Sequence, residues 1–457
     1  MSRRIVRTAA LLAVLGLGAS ACSNSSNNAS TSASSGSSVA STGASSSSGD
    51  AQRNTHETIS GVPGVSDTTI TYDVIGSKAN NPLGTCILDC YTSGVKAYFA
   101  FRNSEGGVYG RQLTVGNVVD DEVTSNQPRA LDLISGNSAF GDFNATLFAS
   151  GWGDLAGAGV PTYVWAINPE ANNHPEIFGN APATCYTCTG RGVPYIAMLA
   201  HATKAASLGY GVTENSKQCA DATAASFKKY EADTHVAMAY ENNNLDFGLA
   251  NGIAPQVTEM KNAGVDFIST CFDLNGMKTL AQELQKQGMD NVVLYHPNTY
   301  DQQFVKDNAS LFEGDYVRVG FTPFEAAGSA GLTNFLKWMQ STGATPTELA
   351  MDGWINADEA FTGLLKAGPQ FDRKKVIDGL NTVTAYTADG LLQPIDWTRQ
   401  HVPPTPGDLS HDYKQECVAA VKIVSGVFQT VAPKDKPWEC WDNSNDNWGT
   451  PTPTSFN

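Results

Sequence analysis

The sequence is poor in several features that would have assigned it quickly. After residue 22 no apolar run approaches the roughly 20 residues a membrane-spanning helix needs, which excludes a helical membrane domain for the body of the chain. Positive charge is scarce: 29 Lys and Arg face 45 Asp and Glu, for a net charge of -16. A nucleic-acid binder needs a basic face to neutralise phosphates, so that partner is excluded. The seven histidines (His56, His174, His201, His235, His296, His401 and His411) are scattered singly and suggest structural or solvated roles. There is no His-Glu-x-x-His and no Gly-x-x-x-x-Gly-Lys-Ser/Thr loop. The nearest approach to a nucleophile elbow, Ala327-Gly-Ser-Ala-Gly331, lacks the first glycine. Asp120-Asp121-Glu122 reads as a solvated or capping run at a strand end rather than a metal cluster. No catalytic machinery, metal site or cofactor is expected.

The N-terminus carries more positive information. Arg3, Arg4 and Arg7 precede the apolar, small-residue run Thr8–Ala21, which is too short to span a membrane and reads as an export signal, of Sec or twin-arginine type. It ends in Ala19-Ser-Ala-Cys22, which resembles a bacterial lipobox, in which the cysteine is lipidated and becomes the new N-terminus. Residues 23–60 are mostly Ser, Asn, Ala, Thr and Gly, a composition that cannot bury a core and predicts a flexible tether. Nine cysteines are present, and eight remain once Cys22 is set aside. An even number in an exported chain favours disulfides. Eight cysteines allow 105 pairings. Sequence order suggests Cys86–Cys90, Cys185–Cys188, Cys219–Cys271 and Cys417–Cys440. Zinc is the alternative for the two close pairs; the absence of histidines near Cys185-Tyr-Thr-Cys188 and the three-residue gap between Cys86 and Cys90 argue against it.

The stretch 68–121 organises the body. Thr69–Ile75 reads as a strand, Ser93–Asn103 as a helix with Val95, Tyr98 and Phe99 on one face, and the run ending at Asp121 as a second strand. The turn Asn103-Ser-Glu-Gly-Gly-Val-Tyr-Gly110 holds three glycines that tolerate positive φ. Strand, helix, strand predicts a parallel sheet with its ligand loops at the strands' C-terminal ends. Further α/β pattern follows. It predicts a strand at 139–143, a strand at 161–167, a surface excursion at 168–192, a helix at 196–208 and a strand at 210–213. Alternating helices and strands then run to a strand at 314–324. Helices are expected at 331–342, 355–367 and 373–380, with strand-like segments at 391–395 and 417–431, the last turning at Ser425-Gly426.

These pieces, in this order, resemble a known family. Gly64-Val-Ser-Asp-Thr-Thr-Ile-Thr, Ala97-Tyr-Phe-Ala-Phe-Arg-Asn-Ser-Glu-Gly-Gly-Val-Tyr-Gly-Arg111, Val118-Val-Asp-Asp, Gly159-Val-Pro, Met260-Lys-Asn-Ala-Gly-Val-Asp-Phe-Ile, Phe321-Thr-Pro-Phe and Gly353-Trp are similar to the type I periplasmic binding proteins that serve branched-chain amino acid ABC transporters. The likeness covers about 61–431. It implies an α/β, two-lobed fold, each lobe a parallel sheet flanked by helices, with the ligand cleft at the hinge. Lobe 1 would take 61–194 and 324–388, and lobe 2 would take 195–323 and 389–450. Crossovers near Pro194, Pro323 and Ala388 would make the hinge.

The resemblance also implies a site. The family's first-lobe carboxylate loop matches Asn144-Ala-Thr146 and reaches Ser150, and a second loop matches Ala166 to Asn168. Across the cleft, Ser216 and the Phe272-Asp-Leu-Asn275 run match ligand-facing positions. The family's amino-acid binders place a glutamate after the strand corresponding to 292–295. Here the run is Tyr295-His-Pro-Asn298, so Asn298 offers hydrogen bonds without charge. Phe148, Trp152, Trp165 and Tyr300 are candidate aromatic lining. The implied protein is a monomeric, lipid-anchored receptor outside the plasma membrane, not an enzyme, that passes a small solute (an amino acid, amide or related molecule) to an ABC permease. The alternative is a ligand sensor on the same fold.

Overall fold

The computed structural model describes residue 53 and residues 55–165, 169–181, 188–403, 405 and 415–457. Cys22, Ala166, Asn168, Cys185 and His411, and most of the expected tether, lie outside the described residues.

The expected strand–helix–strand unit is present as β1 (Thr69–Gly76), α1 (Leu88–Ser104) and β2 (Gln112–Asp120). β1 buries Ile70, Tyr72, Val74 and Ile75. α1 starts at Leu88, earlier than the apolar stripe alone predicts; its amide bonds to the Ser77 carbonyl, and the Cys86–Cys90 disulfide closes at its first turn. The glycine-rich turn joins helix to strand: Gly107 has φ +71°, and a Cβ there would meet the Arg111 carbonyl oxygen at 2.0 Å. Arg111 is fully buried and donates to the carbonyls of Ser66, Tyr109 and Glu57. Residues 55–60, expected to belong to the tether, are therefore held on the body at Glu57, whose carbonyl takes one of the three bonds of the buried guanidinium.

The first sheet is completed by β3 (Asp142–Ala145), β4 (Thr162–Val164) and β5 (Ile177–Gly179) in the order β2-β1-β3-β4-β5, all parallel. α2 (Asn126–Gly136) and α3 (Trp152–Gly157) connect its strands. β3 lies later than the expected 139–143, and β5 replaces part of the expected excursion. Both are short, fully buried strands without the alternation that marks a half-exposed one.

The second sheet repeats that order. β6 (Lys204–Tyr210), β7 (Ala237–Leu245), β8 (Phe267–Cys271), β9 (Val293–His296) and β10 (Tyr316–Val319) run β7-β6-β8-β9-β10 in parallel. The helix expected at 196–208 is corrected to α4 (Gly192–Leu199) followed by β6. Lys-Ala-Ala-Ser-Leu-Gly-Tyr is rich in small residues and all but its first residue are buried, so it carries neither helical nor strand periodicity. The helices here are α5 (Glu214–Thr234), α6 (Ala254–Ala263), α7 (Leu274–Lys286) and the short α8 (Gln302–Asp307) and α9 (Ala309–Phe312).

The chain then returns to the first sheet as α10 (Ala330–Ser341), α11 (Glu348–Ala367) and α12 (Arg373–Leu380). α11 lies against α1 so closely that a Cβ on Gly94 would sit 1.8 Å from the Ala350 oxygen, and one on Gly353 2.1 Å from the Tyr91 oxygen. The segment after Ala388 stays with this half: Trp397 packs edge-on to Phe178 at 5.2 Å, and His401 bonds Asn381. Only then do β11 (Gln415–Val424), β12 (Val427–Thr430), β13 (Trp438–Asp442) and β14 (Thr452–Thr454) add antiparallel strands to the second sheet. The strand expected at 391–395 is a single bridge between Ile395 and Tyr386. The hairpin at Ser425-Gly426 is as expected, both residues having positive φ (55° and 73°), as a two-residue type I′ turn requires. The Cys219–Cys271 and Cys417–Cys440 disulfides are formed. Cys188 is disulfide-bonded. The molecule is a two-lobed α/β fold, with a parallel sheet flanked by helices in each lobe, the second extended by antiparallel strands.

Candidate functional site

In a doubly wound sheet the connections leave to opposite faces at one point, and a crevice opens at the strands' C-terminal ends. In the first sheet this switch falls between β1 and β3; in the second, between β6 and β8. The two crevices contribute to one cavity of about 450 Å³. Its wall takes Leu83, Leu147, Phe148, Trp165 and Asn180 from beyond the first sheet's strands, and Tyr210, Ser216, Phe272, Asn298 and Arg318 from the second lobe. Glu348 and Asp352 come from the start of α11. At one lip the lobes touch: Asn275 donates through Nδ2 to the Pro82 carbonyl at 2.6 Å.

Of the residues expected at the site, Ser216, Phe272 and Asn298 line this cavity. The Ser216 hydroxyl donates to the Cys271 carbonyl at 2.7 Å and accepts from the Tyr210 amide at 2.8 Å, so it shapes the crevice mouth. Asn298 donates to the Phe272 carbonyl at 3.0 Å, leaving its oxygen for the cavity. Asn144, Thr146, Ser150 and Tyr300 are not among the lining residues. Asn144 is fully buried, donating to Asp142 and accepting from the Trp152 indole. Thr146 is buried behind the β3 loop, its hydroxyl on Asp121 and its carbonyl accepting from Trp165 Nε1 at 2.9 Å. Ser150 faces solvent. Tyr300 packs against Phe321 and Phe324, donating to Glu325 at 2.6 Å and accepting from the Phe324 amide. Of the candidate aromatics, Phe148 and Trp165 line the cavity, whereas Trp152 is core.

Aromatic rings make much of the second-lobe wall. Tyr210 stacks on Phe272 at 4.6 Å, with Phe247 edge-on to Tyr210 at 5.2 Å. The Tyr210 hydroxyl is fixed by Asp273, whose other oxygen caps α7 at the Gly276 amide. On the first-lobe side the wall is acidic. Asp352 is 5% exposed and accepts from Asn180 Nδ2 at 2.5 Å. Burial pushes its pKa up to about 8, the Asn180 bond acting in the other direction. Glu348, one helical turn earlier, is raised well above the ordinary carboxylate range, first by burial and then by Asp352, with Arg318 and the Tyr300 amide opposing. Sequence reasoning missed this pair. Glu348 and Asp352 are four residues apart in a helix, which was a legible signal, but nothing local shows that α11 points its first turn into a cleft. Among the described residues, no group of His, Cys, Asp and Glu could hold a metal ion.

The family model described as "Periplasmic binding protein" matches residues 87–412. A comparison with curated proteins finds no match. Among solved structures, the chain is similar to a fatty acid ABC transporter substrate-binding protein from Thermomonospora curvata, with 17% identity and a TM-score of 0.61 over 85% of this chain and 96% of that one. It is similar to an ABC transporter substrate-binding protein from Desulfitobacterium hafniense in complex with Leu (16% identity, TM-score 0.59, 79% and 99% covered). It is also similar to a branched chain amino acid ABC transporter protein from Thermus thermophilus with bound valine (14%, 0.61, 80% and 96%). With the family model spanning most of the chain and both sheets in the same strand order, this protein belongs to the periplasmic binding protein family, as a two-lobed solute receptor of type I.

Proposed function

We propose that this protein is an extracytoplasmic, lipid-anchored receptor that captures a small organic solute between its lobes and delivers it to an ABC permease. The observation that carries the reading is the cavity of about 450 Å³ with walls from both lobes. A ligand touching both walls favours the closed arrangement, and closure is what a permease can sense. The similar solved proteins, described as binding Leu, valine or belonging to fatty acid transport, support a transport role. The Cys22 lipobox and the Ser-rich stretch after it would supply anchor and tether. We place lobe 1 at 55–181 with 324–403 and lobe 2 at 188–323 with 415–457. Trp397 against Phe178 and the Arg191–Glu416 pair support those boundaries.

A thermal-shift screen of the purified protein against amino acids, amides, amines and short or aromatic carboxylates tests this. A solute at 100 times its Kd adds about 2.7 kcal/mol. For a chain of this size that is a rise of about 3 °C in Tm. No shift from any solute class would refute the receptor reading.

A further inference from the structure

We propose that the cleft selects an organic cation, an ammonium group carried on an apolar or aromatic body, with Glu348 and Asp352 as its counter-charges. The proposal rests on the receptor reading and names its ligand class.

The charge around the cavity is lopsided. Three carboxylates face it, Asp273, Glu348 and Asp352, against one guanidinium, Arg318. Asp273 is committed, one oxygen to the Gly276 amide and the other to the Tyr210 hydroxyl. The hydrogen-bond partners of Glu348 and Asp352, the Tyr300 amide and the Asn180 side chain, are neutral and bring no charge to offset theirs. The two acids stand four residues apart on α11, hence on one face of the helix, and neither forms an ion pair with a basic side chain of the described residues. Asp352 is 5% exposed and, among the described residues, bonded only through Oδ1 to the Asn180 amide. Two carboxyl groups side by side in a cleft wall cannot both ionise cheaply unless something positive joins them. Arg318 does not do so: it lies on the opposite lobe, exposed, beyond ion-pair distance of either acid.

The rest of the wall fits the body of such a ligand. The stacked Tyr210 and Phe272, with Phe247, Trp165 and Phe148, offer ring faces to a cation and apolar surface to its substituent. The volume of about 450 Å³ is ample for a ring or a chain of several carbons. The second lobe places the neutral Asn298 after β9, so the cationic end is drawn to the first lobe's helix. Arg318 at the far side would suit an anionic ligand, and that is the competing outcome.

The test uses the full-length protein and a matched set of probes: 2-phenylethylamine, 3-phenylpropanoate and 3-phenylpropanamide, titrated by calorimetry at pH 7. The expected result is that the amine binds at least about tenfold more tightly than acid or amide. Asp352→Asn and, separately, Glu348→Gln should each weaken the amine by about tenfold or more and so shrink its advantage over the amide. Glu348→Gln is the safeguard if Asp352→Asn disturbs folding. Binding of the acid or the amide as tightly as the amine overturns the cation proposal and leaves the receptor reading standing. No binding by the amine, together with a hit from a different class in the wider solute screen, overturns it in the same way. No binding by any compound in either experiment overturns both.

Discussion

Replacing Asp352 with Asn should make the empty protein more stable at neutral pH, and the sign follows from burial. Its pKa rises from 3.8 to about 8 because the cleft wall desolvates it, with the Asn180 amide in partial opposition. The titratable and charged groups facing it are Glu348 on its own helix, Tyr91 of α1 and, through Glu348, Arg318 of β10. Below pH 3.8 the carboxyl is protonated in both folded and unfolded chains. Between there and about pH 8 the folded protein keeps a proton that the unfolded chain has released, so stability falls as pH rises, by about 1.4 kcal/mol per unit. At pH 7, about 3.2 units above 3.8, the accumulated loss is roughly 4 kcal/mol. Asn cannot ionise, and its side-chain oxygen can still accept from Asn180. Asp352→Asn should therefore raise Tm by up to about 5 °C at pH 7 and by little near pH 4. Calorimetric melting of both proteins from pH 4 to 8 measures it. Parallel pH profiles for the two proteins would refute the reasoning, as would a gain of equal size at every pH.

Other expectations concern the frame around the cleft. Arg191 is 3% exposed, pairs with Glu416 at 2.8 Å and donates to acceptors in 442–447, so Arg191→Ala should cost about 3–5 kcal/mol in urea denaturation by stranding Glu416 and those acceptors. Cys219–Cys271 closes a 52-residue separation, and replacing both cysteines with Ser should lower stability by about 4 kcal/mol, a difference that reductant should abolish. Gly94→Ala forces a methyl against the Ala350 carbonyl at 1.8 Å and should lower Tm by several degrees through the α1–α11 contact. Asn275→Ala removes the lip bond to Pro82, and a loss of about 1 kcal/mol from the closed state should weaken solute binding roughly fivefold with little change in Tm.

Much of the fold could be read along the chain. β1, α1, the glycine turn, α7 and the Ser425-Gly426 hairpin carry local signals: a periodic apolar face, or glycine where φ is positive. Three disulfides followed from order and parity. What failed were buried strands such as β6 and β5, because a strand covered on both faces has no period to detect, and Lys204–Tyr210 has the composition of a helix. The site was legible only in part. Ser216, Phe272 and Asn298 reach the cleft because they follow strands of the second sheet at its switch point and beyond it. Asn144 and Thr146 occupy the matching place in the first sheet, yet their side chains bond to Asp142, Trp152 and Asp121 instead.

The sequence by itself determined the class of object: an acidic α/β chain with no catalytic motif, whose ordered pieces resemble a two-lobed receptor. Composition and local periodicity are short-range properties, and they suffice for that. Only the tertiary structure decided which side chains share the cavity. Glu348 and Asp352 stand more than 130 residues from Tyr210 in sequence and face the same space because α11 returns to the first lobe. Their altered acidity comes from lost water and, for Glu348, also from Asp352, a consequence of burial that no neighbour in the sequence imposes.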